Sequence, residues 1–381
     1  MSAPAPRERL LALDVFRGAT VAGMLLVNNP GDWGAIYPPL EHAAWDGWTP
    51  TDLIFPFFLF IVGITTHLSL SGRRARGDDE AVILRQVLKR GALIILLGWA
   101  LASFPWWPLT RIANVRIPGV LPRIGLAYIG CYLLTARGTL RAQVLTLVAL
   151  LYGYWFAMTL LPVPGTDGIG ATLWGIKDAN IGAWLDRLLL DGHLWRQSRT
   201  WDPEGLVSTI PAVGTAMCGV FAGRWLGSGR PLAERLNGLF AAGALAMMLG
   251  LMWHWSFPIN KSLWTSSYVL FTAGVACVSL AAIMWVTDIH RLTGWTGFFV
   301  TYGLNPMVAF LGSGAMARTI ASLWKVDVDG TATAVQTVVF RAAYASWLAP
   351  KDASLAFAVT FVLFWYAVLR VLQARGIVFK V

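Results

Sequence analysis

His42 and Asp52 stand just ahead of the apolar run that begins at Leu53. Ionisable groups at the mouth of a membrane-spanning helix are costly unless they have work to do, which makes His42 the leading catalytic candidate. An imidazole of unperturbed pKa about 6.5 keeps a usable neutral fraction at ordinary pH. A neighbouring carboxylate can fix its tautomer and support the imidazolium. Taking a proton from a nucleophile is the chemistry that suits such a pair.

The elements that must position it follow from composition. With 56% hydrophobic and 13% charged residues among 381, the chain departs from a soluble domain, where charged residues make up about 25%. The fold class expected is all-α, a polytopic transmembrane helix bundle. A helix crosses the ~30 Å hydrocarbon core with about 20 residues. Uncharged runs of that size recur at 53–72, 91–110, 142–166, 205–223, 236–260, 262–287 and 292–317, with weaker ones at 10–27, 119–136 and 353–372. That gives ten spans. The first carries Asp14 and Arg17 and lacks the features of a cleaved signal peptide, so it reads as a retained helix. Cys131, Cys218 and Cys277 fall inside spans and read as small apolar packing residues.

Basic loops are retained on the cytoplasmic side. With the N-terminus inside, the inner segments hold Arg7, Arg9, Arg73, Arg74, Arg76, Arg85, Lys89, Arg90, Arg137, Arg141, Arg224, Arg230, Arg235, Arg291, Arg370, Arg375 and Lys380. An even span count returns the basic C-terminus to that side, so both termini are expected to be cytoplasmic. The net charge of +10 then needs no nucleic acid, because anionic membrane lipid suffices. Residues 73–90 could also attract an anionic cytoplasmic cofactor.

No linker or repeat period divides the chain. Residues 1–381 are read as one transmembrane domain with outer loops 28–50, 162–204 and 318–352. The second loop holds a short helix near Ile181–Leu190 and Trp174, Trp184, Trp195 and Trp201. These tryptophans are an interfacial belt or platforms for a sugar ring. The third loop reads as a lid or an interfacial helix.

Several ordered motifs resemble the heparan-α-glucosaminide N-acetyltransferase family, its lysosomal members and their bacterial inner-membrane relatives. They are Leu13-Asp14-Val15-Phe16-Arg17-Gly18, Val27-Asn28, the His-Ala-x-Trp-x-Gly segment from His42 to Gly47, and Thr51-Asp52-Leu53-Ile54-Phe55-Pro56. Gly119-Val120-Leu121-Pro122-Arg123-Ile124, Asp202-Pro203-Glu204-Gly205-Leu206, Pro258-Ile259-Asn260-Lys261-Ser262-Leu263-Trp264 and Gly303-Leu304-Asn305-Pro306 follow. Two departures accompany them: proline stands at 122 where the family pattern has glutamine, and the lysosomal members carry a lumenal domain and a preceding span.

The resemblance implies an acetyl-CoA-dependent amino-sugar N-acetyltransferase in a bacterial inner membrane. It would move an acetyl group from cytoplasmic acetyl-CoA to a glucosamine or a small glucosamine-bearing saccharide on the periplasmic side. His42 matches the family's active-site histidine, as a general base or as an acetylated nucleophile; direct transfer is the preferred reading. The resemblance also suggests a homodimer in contact with membrane lipid. From a different class, ten spans with midplane polar groups also suit a secondary transporter of a sugar or acidic metabolite. An O-acyltransferase acting on a glycan or lipid is the other rival.

The remaining candidates each carry two readings. Asn28 caps the first helix or donates to the thioester carbonyl. Asp14 and Arg17 neutralise one another on one helix face or serve substrate and cofactor. Arg123 pairs with another helix or holds a phosphate of coenzyme A. Asn305 bonds a neighbouring helix or lines the cofactor cavity. Lys261 snorkels or, with Asn260, lines the acceptor site. Asp202 and Glu204 cap a helix or bind the sugar. No metal spacing links the histidines, so no metal is expected.

Overall fold

The computed structural model describes residues 10–379. Arg7, Arg9 and Lys380, which entered the orientation argument, lie outside the described residues. The architecture is an all-α polytopic membrane bundle. Among the described residues, seven helices are long and apolar enough to cross a membrane. Six of these are α1 (Leu11–Asn28), α2 (Ile54–Ala75), α5 (Leu140–Leu160), α7 (Leu206–Leu226), α8 (Leu232–His254) and α9 (Ser266–Met284). The seventh, α12 (Pro350–Ala374), closes the chain. Three further segments occupy the other expected runs: α3 (Glu80–Ser103), the shorter α4 (Val120–Thr135), and a helix broken into α10 (Thr296–Leu304) and α11 (Pro306–Arg318). A short amphipathic helix, α6 (Ile181–Leu190), lies in the second long loop.

Local chemistry sets the ends of these elements. Side chains of Asp79, Thr139, Asn180 and Thr265 accept backbone N–H groups in the first turns of α3, α5, α6 and α9, the usual N-cap arrangement. Helix α3 starts well before the uncharged run at 91–110, because Asp79 caps it there and its charged first turns lie beyond the apolar stretch. It stops at Ser103, ahead of Pro105 and Pro108, since proline cannot continue the hydrogen-bond ladder. Pro306 interrupts the expected 292–317 span for the same reason, with Asn305 in a non-helical conformation between the halves.

The loop after α11 differs most from expectation. It forms a β-hairpin, β1 (Lys325–Val328) paired antiparallel with β2 (Thr331–Ala334), before short helical turns at Val335–Phe340 and Arg341–Ala345. Asp329 and Gly330 both take positive φ, the backbone demanded by a two-residue hairpin turn.

Small residues let the helices that carry the site approach closely. A Cβ on Gly63 of α2 would sit 1.9 Å from the Ala216 carbonyl of α7, and one on Gly219 would sit 2.0 Å from the Phe60 carbonyl. Close backbone contact of this kind is how helices associate in lipid, where burying apolar surface against apolar surface gives little. Loops 29–53, 104–119, 161–205 and 255–265 consequently gather at one end of the bundle. There Gly47 N–H donates to the Ile259 carbonyl, Ile117 N–H to the His193 carbonyl, and Arg116 meets Asp202.

Candidate active site

Asp52 is built into the fold before it meets its histidine. It occupies the third position of a capping box opened by Thr49, so its Oδ2 accepts N–H bonds from Thr49 and Ala43 at 3.0 Å each and the Thr49 hydroxyl at 3.2 Å. Its backbone carbonyl accepts the Tyr268 hydroxyl at 2.5 Å. The remaining oxygen, Oδ1, lies 2.7 Å from His42 Nδ1. Asp52 is 1% exposed and His42 is half exposed. An ionised carboxylate only accepts, so Nδ1 carries the proton and Nε2 keeps its lone pair.

Lys261 completes the cluster. Its Nζ lies 3.1 Å from His42 Nε2, 3.0 Å from Nδ1 and 3.6 Å from Asp52 Oδ1. Burial pulls the Lys261 ammonium below the ordinary lysine range, against the attraction of Asp52 and Glu204. Its loop is fixed by Asn260, whose side chain donates to Asp46 at 3.2 Å and accepts the Leu263 N–H at 2.9 Å. Asn260 therefore fastens the His42 loop to the Lys261 loop and is buried between them; it precedes α9 in a loop and does not line the cavity.

These groups face a cavity of about 430 Å³, whose lining includes Asn28, His42, Asp52, Lys261, Arg116 and Glu204. Trp45, Trp195 and Trp201 form an aromatic wall, Trp201 meeting each of the others edge to face. Asn28 lines this space. It is Asn29 that bonds back to the Leu25 carbonyl, at 2.7 Å, at the end of α1.

Arg116 was not singled out from the sequence, yet it organises the far wall. Its Nε donates to Asp202 at 2.8 Å, and the same guanidinium pairs with Glu204. Although burial disfavours the charge, Asp202 and Glu204 raise the Arg116 pKa above the ordinary arginine value. Although burial raises it, Arg116 and Arg123 hold the Glu204 carboxyl below the usual range. The sequence signal was an arginine in an outer loop just ahead of the Gly119 motif.

The three residues expected at the cofactor do not meet. Arg123 is 1% exposed, stacked on the Trp264 and Phe55 rings with its guanidinium 5.0 and 5.9 Å from their centres. It bonds Ser208 and the Gly205 carbonyl behind the cavity wall. Pro122 beside it costs no helical hydrogen bond, because the first N–H groups of a helix have no intrahelical partner. Gly98 makes room for its ring: a Cβ there would lie 2.6 Å from Pro122 Cδ. Arg17 pairs with Asp14 at 3.2 Å and reaches the Gly303 carbonyl. Asn305 donates to the Ile377 carbonyl and accepts the Phe379 N–H. Asp14, Arg17 and Asn305 thus lie on the faces of α1 and the broken helix, away from His42.

A second polar cavity, about 310 Å³, opens between α2, α3 and α4 at the opposite end. Thr65, Thr66, Ser69, Arg73, Gln86, Arg90 and Tyr128 contribute to it. Val62 lines this cavity and Phe58 lines the His42 cavity. On α2 the two are separated by one helical turn, about 6 Å. Among the described residues, no group of three or more His, Cys, Asp or Glu side chains is placed to hold a metal ion.

Residues 9–259 match the family model described as heparan-alpha-glucosaminide N-acetyltransferase, catalytic. The chain is 30% identical to the mouse and human proteins named heparan-alpha-glucosaminide N-acetyltransferase, in each case over 368 residues and 84% of its own length. It spans about half of those relatives, 55% of the mouse protein and 54% of the human one.

Proposed function

Because the chain belongs to the heparan-α-glucosaminide N-acetyltransferase family, we propose that it transfers an acetyl group from acetyl-CoA to the amino group of a glucosamine-type sugar. The observation that carries this reading is the imidazole of His42, held by Asp52 at the edge of a cavity with an unprotonated Nε2 beside Lys261. The amine nitrogen attacks the thioester carbonyl carbon and passes its proton to Nε2. The carbon–sulfur bond then breaks, and the imidazolium returns the proton to the departing thiolate of coenzyme A. Lys261 Nζ lies near Nε2 at the distance an acceptor amine would occupy. Asn28 is suited to donating to the carbonyl oxygen as negative charge develops there.

Donor and acceptor reach this point from opposite faces of a bacterial inner membrane in our reading. The nucleotide of acetyl-CoA sits in the cytoplasmic cavity that includes Arg73 and Arg90, where guanidinium groups match phosphate oxygens. The pantetheine arm crosses the single turn between Val62 and Phe58. The sugar enters from the periplasm and stacks against the tryptophan wall.

Purified protein supplied with labelled acetyl-CoA and glucosamine should form labelled N-acetylglucosamine. His42→Ala should lower that rate by roughly 10²–10⁴-fold, the usual worth of a general base, while the protein stays folded. Sugar uptake into vesicles with no acetylated product would turn the reading towards a transporter. Label retained on the wild-type protein without acceptor would replace direct transfer with an acetyl-histidine route.

A further inference from the structure

Beside the His42 cavity lies a larger one, about 470 Å³, whose charge is of a different kind. Arg111 from the loop before α4, Arg196 from the loop after α6 and Arg318 at the end of α11 all line it, and no aspartate or glutamate does. Among the described residues, none of these three takes part in a salt bridge. Arg318 is steadied by the Leu101 carbonyl. The charges acting on it from Arg111 and Arg196 are repulsive. Gln197 and Ser322 add neutral donors to the same walls.

Three chain segments distant in sequence therefore bring like charges together, and that convergence is unfavourable until an anion joins them. Arginine is the side chain best shaped for this, because its planar fork donates two parallel hydrogen bonds to a phosphate, sulfate or carboxylate. The chamber shares Arg116, Val120, Trp195 and Phe310 with the His42 cavity. Arg116 is already committed to Asp202 and Glu204, so the other three remain for a ligand.

We propose that the chamber formed by Arg111, Arg196 and Arg318 binds an oxyanion carried by the acceptor, while the acceptor's amino group lies at His42. This rests on the acetyltransferase reading and narrows its substrate to an amino sugar bearing a phosphate, sulfate or carboxylate. The oxyanion can come from a soluble sugar acid or from the phosphate of a lipid-linked sugar. The lipid source is worth a separate arm because Trp106, Trp107, Leu109 and Ile112, in the segment that supplies Arg111, are all exposed.

Two measurements on the full-length protein separate the site from the reaction. In the first, arginines are modified with phenylglyoxal in the presence and absence of inorganic sulfate and mapped by mass spectrometry. Sulfate should protect Arg111, Arg196 and Arg318 together, and uniform protection of all surface arginines, or none, overturns the site. In the second, the KM of glucosamine is compared with those of glucosamine 6-phosphate and of a glucosamine-bearing lipid phosphate in vesicles. The anionic acceptors should have KM values lower by roughly tenfold, the worth of one good charge-assisted pair. That preference should collapse towards unity in Arg196→Gln/Arg318→Gln, and separately in Arg111→Gln.

A preference shown by both phosphorylated acceptors identifies the anion itself as the feature recognised, whichever source supplies it. One shown by the lipid alone and kept in the arginine variants assigns the effect to the bilayer and overturns the proposal. Sulfate protection in a protein with no transferase activity would leave the anion site standing and remove the function. Active protein without protection or preference would do the reverse.

Discussion

The His42 cavity and the adjoining arginine chamber share a wall, yet they handle charge in opposite ways. In the first, cations and carboxylates meet one another: His42 with Asp52, Lys261 with Asp52, and Arg116 with Asp202 and Glu204. In the second, Arg111, Arg196 and Arg318 line a space that no carboxylate enters. A compensated network fixes its members in place without a ligand, which is what an acid–base pair needs before substrate arrives. An uncompensated cluster carries a repulsion that a bound anion relieves. The pairing state of each arginine therefore separates those that hold the site together from those left for recognition.

The sharpest test of that division is to delete one arginine of each kind. Arg116→Ala leaves Asp202 and Glu204 buried without their cation, and breaking a buried pair in this way typically costs about 3–5 kcal/mol. Arg196→Ala removes an exposed cation that has only like-charged neighbours in its cavity, and should change stability by no more than about 0.5 kcal/mol. Denaturation of the two variants in the same detergent makes the comparison directly. Equal losses would mean that pairing does not distinguish these arginines.

The second test bears on the compensated side alone. In Asp52→Asn the amide can present its Nδ2 donor to His42 Nδ1, which forces the ring proton onto Nε2 and removes the base. Acetyl transfer should fall by roughly a hundredfold, and the KM for the sugar should move far less. A matching fall in sugar affinity, with turnover kept, would make Asp52 a binding group instead of an orienting one.

Much of this arrangement was legible in the sequence, for identifiable reasons. Apolar run lengths located the membrane helices because a helix in lipid must satisfy its own backbone. The short α6 was readable at Ile181–Leu190 because its sequence carries both a capping Asn180 and an apolar face. His42 and Asp52 stood out because charge at a helix mouth needs a reason. The hairpin at 325–334 was missed because its exposed strands have no buried face to impose a pattern. Arg17 and Asn305 were grouped with Arg123 because residue type and family motif say nothing about depth. Contact decided the matter, with Arg17 meeting Asp14, Asn305 the C-terminal segment, and Arg123 the Trp264 ring. The arginine chamber was invisible because Arg111, Arg196 and Arg318 lie far apart along the chain and belong to no common motif.

One buried carboxylate at this end breaks the compensated pattern and supplies the smallest test. Asp186 of α6 is buried and, among the described residues, has no salt bridge; it accepts the Leu206 N–H at 2.9 Å and so tethers α6 to the start of α7. Burial pushes its carboxyl up to about 6, against the pull of that N–H. A folded-state pKa raised above the unfolded value means that the protonated acid is the better guest. Its stabilising contribution is complete below the ordinary aspartate pKa of about 4 and is lost as pH rises through about 6. Asp186→Asn keeps an acceptor for Leu206 and removes the charge. At pH 7 it should be the more stable protein, by on the order of 2–3 kcal/mol, and near pH 4 the two should converge. Unfolding curves of the pair across this window read the difference directly. If they stay parallel, the Asp186 carboxylate is stabilised by water or a cation in solution and does not stand apart from the other buried carboxylates at this end.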